Sequence, residues 1–176
     1  MPQLTPTTLA ADHVTLRPWS PADVEALVGR INDPDVARFL ELVPQPYTAR
    51  DAHDWFAIAA EGWRDGTSAS FGVHVSGVDG AAGGVGIRFL ADLDAGCGEI
   101  GFWVGAEARG RGVATAATRA AARWAFEAVP ELARLQLRAE VDNVASNRVA
   151  AKAGFTREGV LRSLRHNARL GRRVDS

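Results

Sequence analysis

Two glycines stand where a long helix has to begin, and no other feature limits the possible folds of this chain so much. The stretch CGEIGFWVG (Cys97–Gly105) alternates as a strand, and GVATAATRAAARWAF (Gly112–Phe126) reads as a helix running on to Val129–Pro130. Glycine loses more backbone freedom on ordering than any other residue, so Gly110 and Gly112 do not serve helix formation. A helix start exposes backbone N–H groups without internal partners at the positive end of the helix dipole, a ready site for phosphate groups. Phosphate comes close to those groups only where no β-carbon stands in front of them. Gly110 and Gly112 clear that space, Ala114 keeps the third position small, Arg109 and Arg111 add charge at the rim, and Thr115 offers a hydroxyl one turn inside. A bland strand-to-helix turn that is merely rich in glycine is the competing reading.

The rest of the chain supplies the frame for this loop. HVTLRPWS (His13–Ser20) reads as a first strand, and Ser20–Pro21 caps a helix, PADVEALVGRI, that stops at the turn cluster NDPD. Thr48 opens a second helix ended by Gly66, whose Ala52, Trp55, Phe56, Ala59, Ala60 and Trp63 make one apolar face. Three strands follow, Ser68–Ser76, Ala82–Leu90 and Cys97–Gly105, and the short turn-rich links GVDGA and ADLDAG make them an antiparallel meander. After the long helix, Ala133–Val141 alternates as a fifth strand. A short helix begins around Asn143–Ser146 and ends at Gly154, and FTREGVLRS reads as a further strand. No repeat or linker divides residues 1–176, so the expectation is one α/β domain with a mixed, mostly antiparallel sheet flanked by helices. The long helix is its one compulsory crossover, joining the fourth strand to the fifth.

Composition removes several function classes. A formal net charge of −1 gives no global field for nucleic acid or membrane. The basic run Leu161–Arg173 reads as a solvated hairpin, with a nucleic-acid contact as its alternative. The single cysteine, Cys97, excludes an internal disulfide and disfavours a cysteine-based metal site, and it reads as a small buried hydrophobe. The start MPQLTPTTLAADH lacks the pattern of a signal peptide, and no apolar run reaches membrane-spanning length, so a cytoplasmic location is expected. No Gly-Lys-Ser/Thr occurs, which excludes a nucleotide-triphosphate loop, and the meander disfavours a dinucleotide fold.

RGRGVA (Arg109–Ala114) resembles the Arg/Gln-x-x-Gly-x-Gly/Ala loop of the GNAT family of N-acetyltransferases, which binds the pyrophosphate of acetyl-coenzyme A. EIGFWV before it and GVATAATRAAARWAF after it resemble that family's fourth strand and following helix. LRAEVDNVASNRVAAKAGFTREGVLR (Leu137–Arg162) and VTLRPWSPAD resemble the subgroup that acetylates ribosomal-protein N-termini. The similarity covers nearly the whole chain, with separated motifs in the right order.

The resemblance implies that the fourth and fifth strands splay apart, with the pantetheine arm of the cofactor in the gap. Phe102, Trp103 and Val104 would lie beside it, and a backbone N–H near Val104 would face the thioester oxygen, where negative charge develops. Arg109, Gly110, Arg111, Gly112, Val113, Ala114 and Thr115 form the implied pyrophosphate site. Asn143 and Ser146 match the family's Asn-x-x-Ser, with Asn147 beside them, although both could simply cap the short helix. Many members carry a tyrosine four residues before the glycine that ends this helix, as the acid towards the departing thiolate. Ala150 stands there, which leaves the Ser146 hydroxyl as the nearest candidate acid. Glu99 shares a strand face with Gly101 and could act as base through water, or be only a solvated carboxylate; His74 and Glu140 are weaker candidates.

The expected activity is acetyl transfer from acetyl-coenzyme A, with no metal, to a primary amine by direct attack in a ternary complex. A protein N-terminal α-amine is the first choice of acceptor. A small-molecule amine, such as an antibiotic or polyamine, is the alternative, and a non-catalytic acyl-coenzyme A-binding module is a third reading. The first two helices would form the acceptor pocket, with most of Trp55, Phe56 and Trp63 in the core. A homodimer is left open. The family has another strand after the Leu161–Arg173 hairpin, so the last strand is expected to be missing or trimmed.

Overall fold

The antiparallel meander forms, and its register fixes the position of everything else. In a computed structural model, residues 3–40, 43–90, 96–167 and 171–176 are described. The strands are β1 (Leu9–Ala11), β2 (Val14–Pro18), β3 (Ser68–Val75), β4 (Gly83–Phe89), β5 (Cys97–Val104), β6 (Arg134–Gln136), β7 (Arg165–Asn167) and β8 (Arg172–Val174). The helices are α1 (Val24–Ile31), α2 (Pro34–Ala37), α3 (Ala49–Asp65), α4 (Val113–Ala128) and α5 (Val144–Ala153). The ADLDAG link lies largely outside the described residues.

One six-stranded sheet runs in the order β1-β2-β3-β4-β5-β6, antiparallel except for the β5–β6 pair that α4 crosses. Its two faces are unlike. Leu16, Phe71, Val73, Val85, Ile87 and Ile100 point to one face, where they meet the alanines of α4 in the larger core. Trp63 at the end of α3 is edge-on to Phe71 and also packs against Trp124 of α4. The other face is covered by α1–α3 through a smaller cluster around Leu27, Ile31, Val36 and Ala52. There the strands present Ser70, Gly72, Gly84, Gly86, Gly101 and Trp103, with little bulk apart from the indole.

Local chemistry explains the helix ends. Thr48 and Asp51 form a capping box at the start of α3, and Gly66 ends it at φ +71°. The Asn143 side chain accepts from the Ser146 N–H to cap α5, and Gly154 closes it at φ +98°. The NDPD cluster does more than stop α1. Asp33 accepts from the Asp35 N–H, and Pro34 opens the short α2.

Three readings of the sequence need correction. β1 was not anticipated, so the fourth strand of the sequence is β5 in the fold. The expected fifth strand, Ala133–Val141, pairs over Arg134–Gln136 alone, because β5 diverges from it. FTREGVLRS is not a strand: residues 155–161 are irregular, with Glu158 paired to Arg134 and Leu161 bonded reciprocally to Ser176. The basic run does contain a hairpin, β7–β8, whose last strand Arg172–Val174 is followed by a bond from the Val141 N–H to the Asp175 carbonyl. Among the described residues no helix is long and apolar enough to cross a membrane.

Candidate active site

The sheet comes apart at Glu99. β5 pairs with β4 along its whole length, from Gly98↔Phe89 to Val104↔Gly83, but with β6 only through Cys97↔Arg134, Gly98↔Leu135 and Glu99↔Gln136. The Cys97 carbonyl accepts from Leu90 and the Gly105 N–H donates to Ala82, so odd-numbered residues of β5 turn their backbone groups to β4. Even-numbered residues turn theirs the other way. Beyond the last pair, Phe102 and Val104 therefore aim N–H and C=O into an opening between the strands. The Val104 carbonyl accepts from Arg109 Nε at 3.4 Å.

The opening joins a cleft of about 1800 Å³ that reaches from α3 across the sheet face to α5 and the start of α4. At its α4 end, Gly112 is the N-cap at φ +78° and no side chain caps the helix. The first backbone bond of this turn runs from the Ala116 N–H to the Gly112 carbonyl, leaving the N–H groups of Val113, Ala114 and Thr115 pointing outward. The other helices of eight or more residues that carry a side-chain cap, α3 and α5, have Thr48 and Asn143 in that role. A β-carbon on Gly110 would meet nothing within 4 Å, and one on Gly112 would meet only the His13 ring at 3.8 Å. The space before these N–H groups is open, which fits a phosphate. The Val113 side chain belongs to the core, so only its backbone faces the cleft.

The loop arginines are already paired. Arg109 NH1 and NH2 hold Asp35 at 3.0 Å and Asp33 at 3.2 Å, fastening the loop to α2. Arg111 donates to the Ser76 carbonyl at 3.4 Å. Sequence reasoning placed both at the rim of the loop but had no local signal for these partners.

Glu99 sits where β5 and β6 part, on the sheet face covered by α1–α3. Its Oε2 takes Gln136 Nε2 at 3.1 Å and an ion pair from Arg138, while Arg88 stands 4.0 Å from Oε1. Oε1 thus has no hydrogen bond among the described residues. Ser146 lines the α5 end of the same cleft, and its hydroxyl has no hydrogen-bond partner among the described residues. Asn147 Nδ2 donates to the carbonyls of Glu140 and Asn143, bracing the first turn of α5. Ala150 is not among the cleft residues.

His74 does not join them. It lies among Asp23 and Arg17, 3.6 Å from Asp23 Oδ1, and burial holds its pKa below the ordinary histidine value. Glu140 is buried and lines the cleft near α5. The aromatics expected in the core divide: Trp63 is buried, Phe56 stacks on Trp19, and Trp55 is 38% exposed at the cleft. Tyr47 also lines the cleft, and burial, with Asp51 and Asp54 nearby, pushes its hydroxyl up to about 12. Among the described residues no group of three or more His, Cys, Asp or Glu side chains could hold a metal ion.

The family model for an acetyltransferase (GNAT) domain matches residues 13–156. A Bacillus subtilis protein named "Putative ribosomal N-acetyltransferase YdaF" is 30% identical over 86% of this chain and 82% of its own. Among solved structures, Mycobacterium smegmatis RimJ with CoA-disulfide matches with a TM-score of 0.81, at 23% identity over 97% of this chain and 83% of that one. The ribosomal-protein-S5-alanine acetyltransferase of Vibrio fischeri matches with a TM-score of 0.83, at 19% identity over 96% and 92%. The chain belongs to the GNAT family of N-acetyltransferases, and acetyl transfer is its class of activity.

Proposed function

We propose that this protein moves an acetyl group from acetyl-coenzyme A to the N-terminal α-amine of a protein, in the cytoplasm. The observation that carries the reading is the opening beyond Glu99↔Gln136, which runs from a carboxylate to an uncapped helix start. The outward N–H groups of Val113, Ala114 and Thr115 bind pyrophosphate, and the Phe102 carbonyl and the Val104 N–H pair with the amides of the pantetheine arm. The Phe102 N–H, which faces the opening nearer to Glu99, stabilises charge on the thioester oxygen. Bound acetyl-coenzyme A supplies an activated acetyl group with a thiolate as leaving group. Glu99 Oε1, with Arg88 at 4.0 Å and no hydrogen bond among the described residues, accepts the amine proton through a water, while Arg138 and Gln136 hold the other oxygen and fix the carboxylate. The Ser146 hydroxyl donates to the departing sulfur.

The acceptor assignment rests on the family relative of B. subtilis and on proton chemistry. An α-amine titrates near ~8 against ~10.4 for lysine, so roughly a tenth of it is neutral at neutral pH and it needs less help from a base than lysine does. Thiol release from acetyl-coenzyme A with a panel of peptides, polyamines and aminoglycosides tests this. Turnover of peptides with a free N-terminus, lost on N-terminal blocking, is expected. Turnover of small amines alone moves the assignment to small-molecule acceptors. Cofactor binding without turnover of any amine makes the protein a binding module.

A further inference from the structure

We propose that Gly86 and Gly101 form a bare floor in the cleft, and that their missing side chains set how large a group the acceptor carries beside its amine. This rests on the acyl-transfer reading above and names a specificity determinant for it. The two residues face each other across β4 and β5 in the middle of the sheet. Glycine in a strand interior weakens the strand, and it persists where packing or a close approach requires it.

Packing accounts for the neighbouring glycines but not for these two. A β-carbon on Gly84 would lie 2.7 Å from Trp103 Nε1, and one on Gly72 would lie 3.2 Å from the Trp19 ring, so both make room for indoles. On the opposite face, Gly98 makes room for Leu135 at 2.8 Å. A β-carbon on Gly86 would have its nearest neighbour at 3.7 Å, and one on Gly101 would meet nothing within 4 Å. Neither residue has a positive φ. Nothing among the described residues fills the space, and the backbone there suits any side chain.

That space is bounded. Trp103, stacked with Trp19 at 6.5 Å, stands at one end, and Arg88 with Glu99 at the other. Glu99 and Gly101 are two residues apart on one strand face, roughly 7 Å along the strand. An amine one water away from Glu99 Oε1 therefore places the group on its neighbouring carbon above Gly101 and Gly86, with the Trp103 indole as end wall. For an α-amine this group is the first side chain of the peptide, and the floor admits a large one, aromatic included. The backbone groups of Gly101 point to β4 rather than to the cofactor opening, so a side chain added here leaves the cofactor's hydrogen bonds in place.

The test uses Gly101→Val and Gly86→Val, since valine favours strands and its β-carbon meets no clash at either position. Acceptors are peptides beginning with Gly, Ala, Leu or Phe, together with propylamine and phenethylamine. In both variants the kcat/KM ratio of the Phe to the Gly peptide is expected to fall at least tenfold. Coenzyme A affinity should stay within twofold and Tm should not drop. Loss of the size ratio for the two alkyl amines, with no peptide turned over, keeps the floor and overturns the peptide acceptor. An unchanged ratio in folded, active variants overturns the floor and leaves the activity standing. If the wild-type protein acetylates none of these amines, both readings fail.

Discussion

Replacing Gly112 by valine separates the cost of a strained backbone from the loss of an anion site. At φ +78° a residue with a β-carbon is strained by about 1–2 kcal/mol, and no steric clash adds to this because only the His13 ring lies within 4 Å. For a domain of this size that strain lowers Tm by roughly 2–8 °C, and the fold survives. The effect on binding is larger. Hydrogen bonds to charged groups contribute about 1.5–3 kcal/mol each, so denying a phosphate two of the outward N–H groups weakens coenzyme A binding by about two to four decades. Gly77 supplies the matched control: its φ is also +78° and a β-carbon there meets nothing within 4 Å, but it lies in the β3–β4 turn. Calorimetric titration with coenzyme A and thermal melts of wild type, Gly112→Val and Gly77→Val are the measurements. Both variants should lose similar Tm, and only Gly112→Val should lose affinity. Equal affinity in all three folded proteins would refute the phosphate site.

Ser146→Ala keeps the backbone N–H that Asn143 caps, so α5 should stay intact while single-turnover transfer slows about tenfold to a hundredfold. A wild-type rate would make Ser146 a helix residue only. Glu99→Gln should lower turnover by about a hundredfold, leave coenzyme A affinity within twofold and abolish the acidic limb of the pH–rate profile; a retained limb assigns the base elsewhere. For His74, burial lowers the folded pKa, so below the unfolded value of about 6.5 the unfolded chain binds more protons than the folded one. The stability linked to neutral His74 is therefore complete above that pH and is lost progressively below it, down to the folded value. The Tm difference between wild type and His74→Gln should shift against wild type from pH 7.5 to 5, and a constant difference would show that His74 does not titrate with folding.

What could be read from the sequence was what local chemistry decides. Thr48 with Gly66, and Asn143 with Gly154, bracket helices because a cap oxygen and a left-handed glycine act within one turn. The glycines of the loop were legible for the same reason. Pairing between distant segments was not. Ala133–Val141 alternates along its length, yet only Arg134–Gln136 has a partner, because alternation reports a face and not a neighbour. β1 is three residues at an edge, held by its register with β2 and unmarked by any pattern of its own. The site divided likewise. Glu99, Ser146 and the loop are candidates by motif and position, while the Arg138 partner of Glu99 and the pairing of Arg109 with Asp33 and Asp35 join residues far apart in the chain. The glycine floor was invisible for a further reason: Gly84, Gly86 and Gly101 look alike in sequence, and only the packed indoles show which space is left over.

The short β5–β6 ladder also bears on how the molecule holds together. Three parallel pairs join β6, and with it α5, to a sheet whose other strands pair over three to seven residues. Such a seam opens locally at a cost well below global unfolding, so amides of β6 should exchange with solvent before those of β3 and β4. A ligand lying in the opening and bonding to Phe102 and Val104 acts there as a length of strand, supplying rungs that the polypeptide leaves out. The sheet is then completed by its own substrate, and saturating ligand at a hundred times Kd would add about 2.7 kcal/mol to the stability of the whole chain.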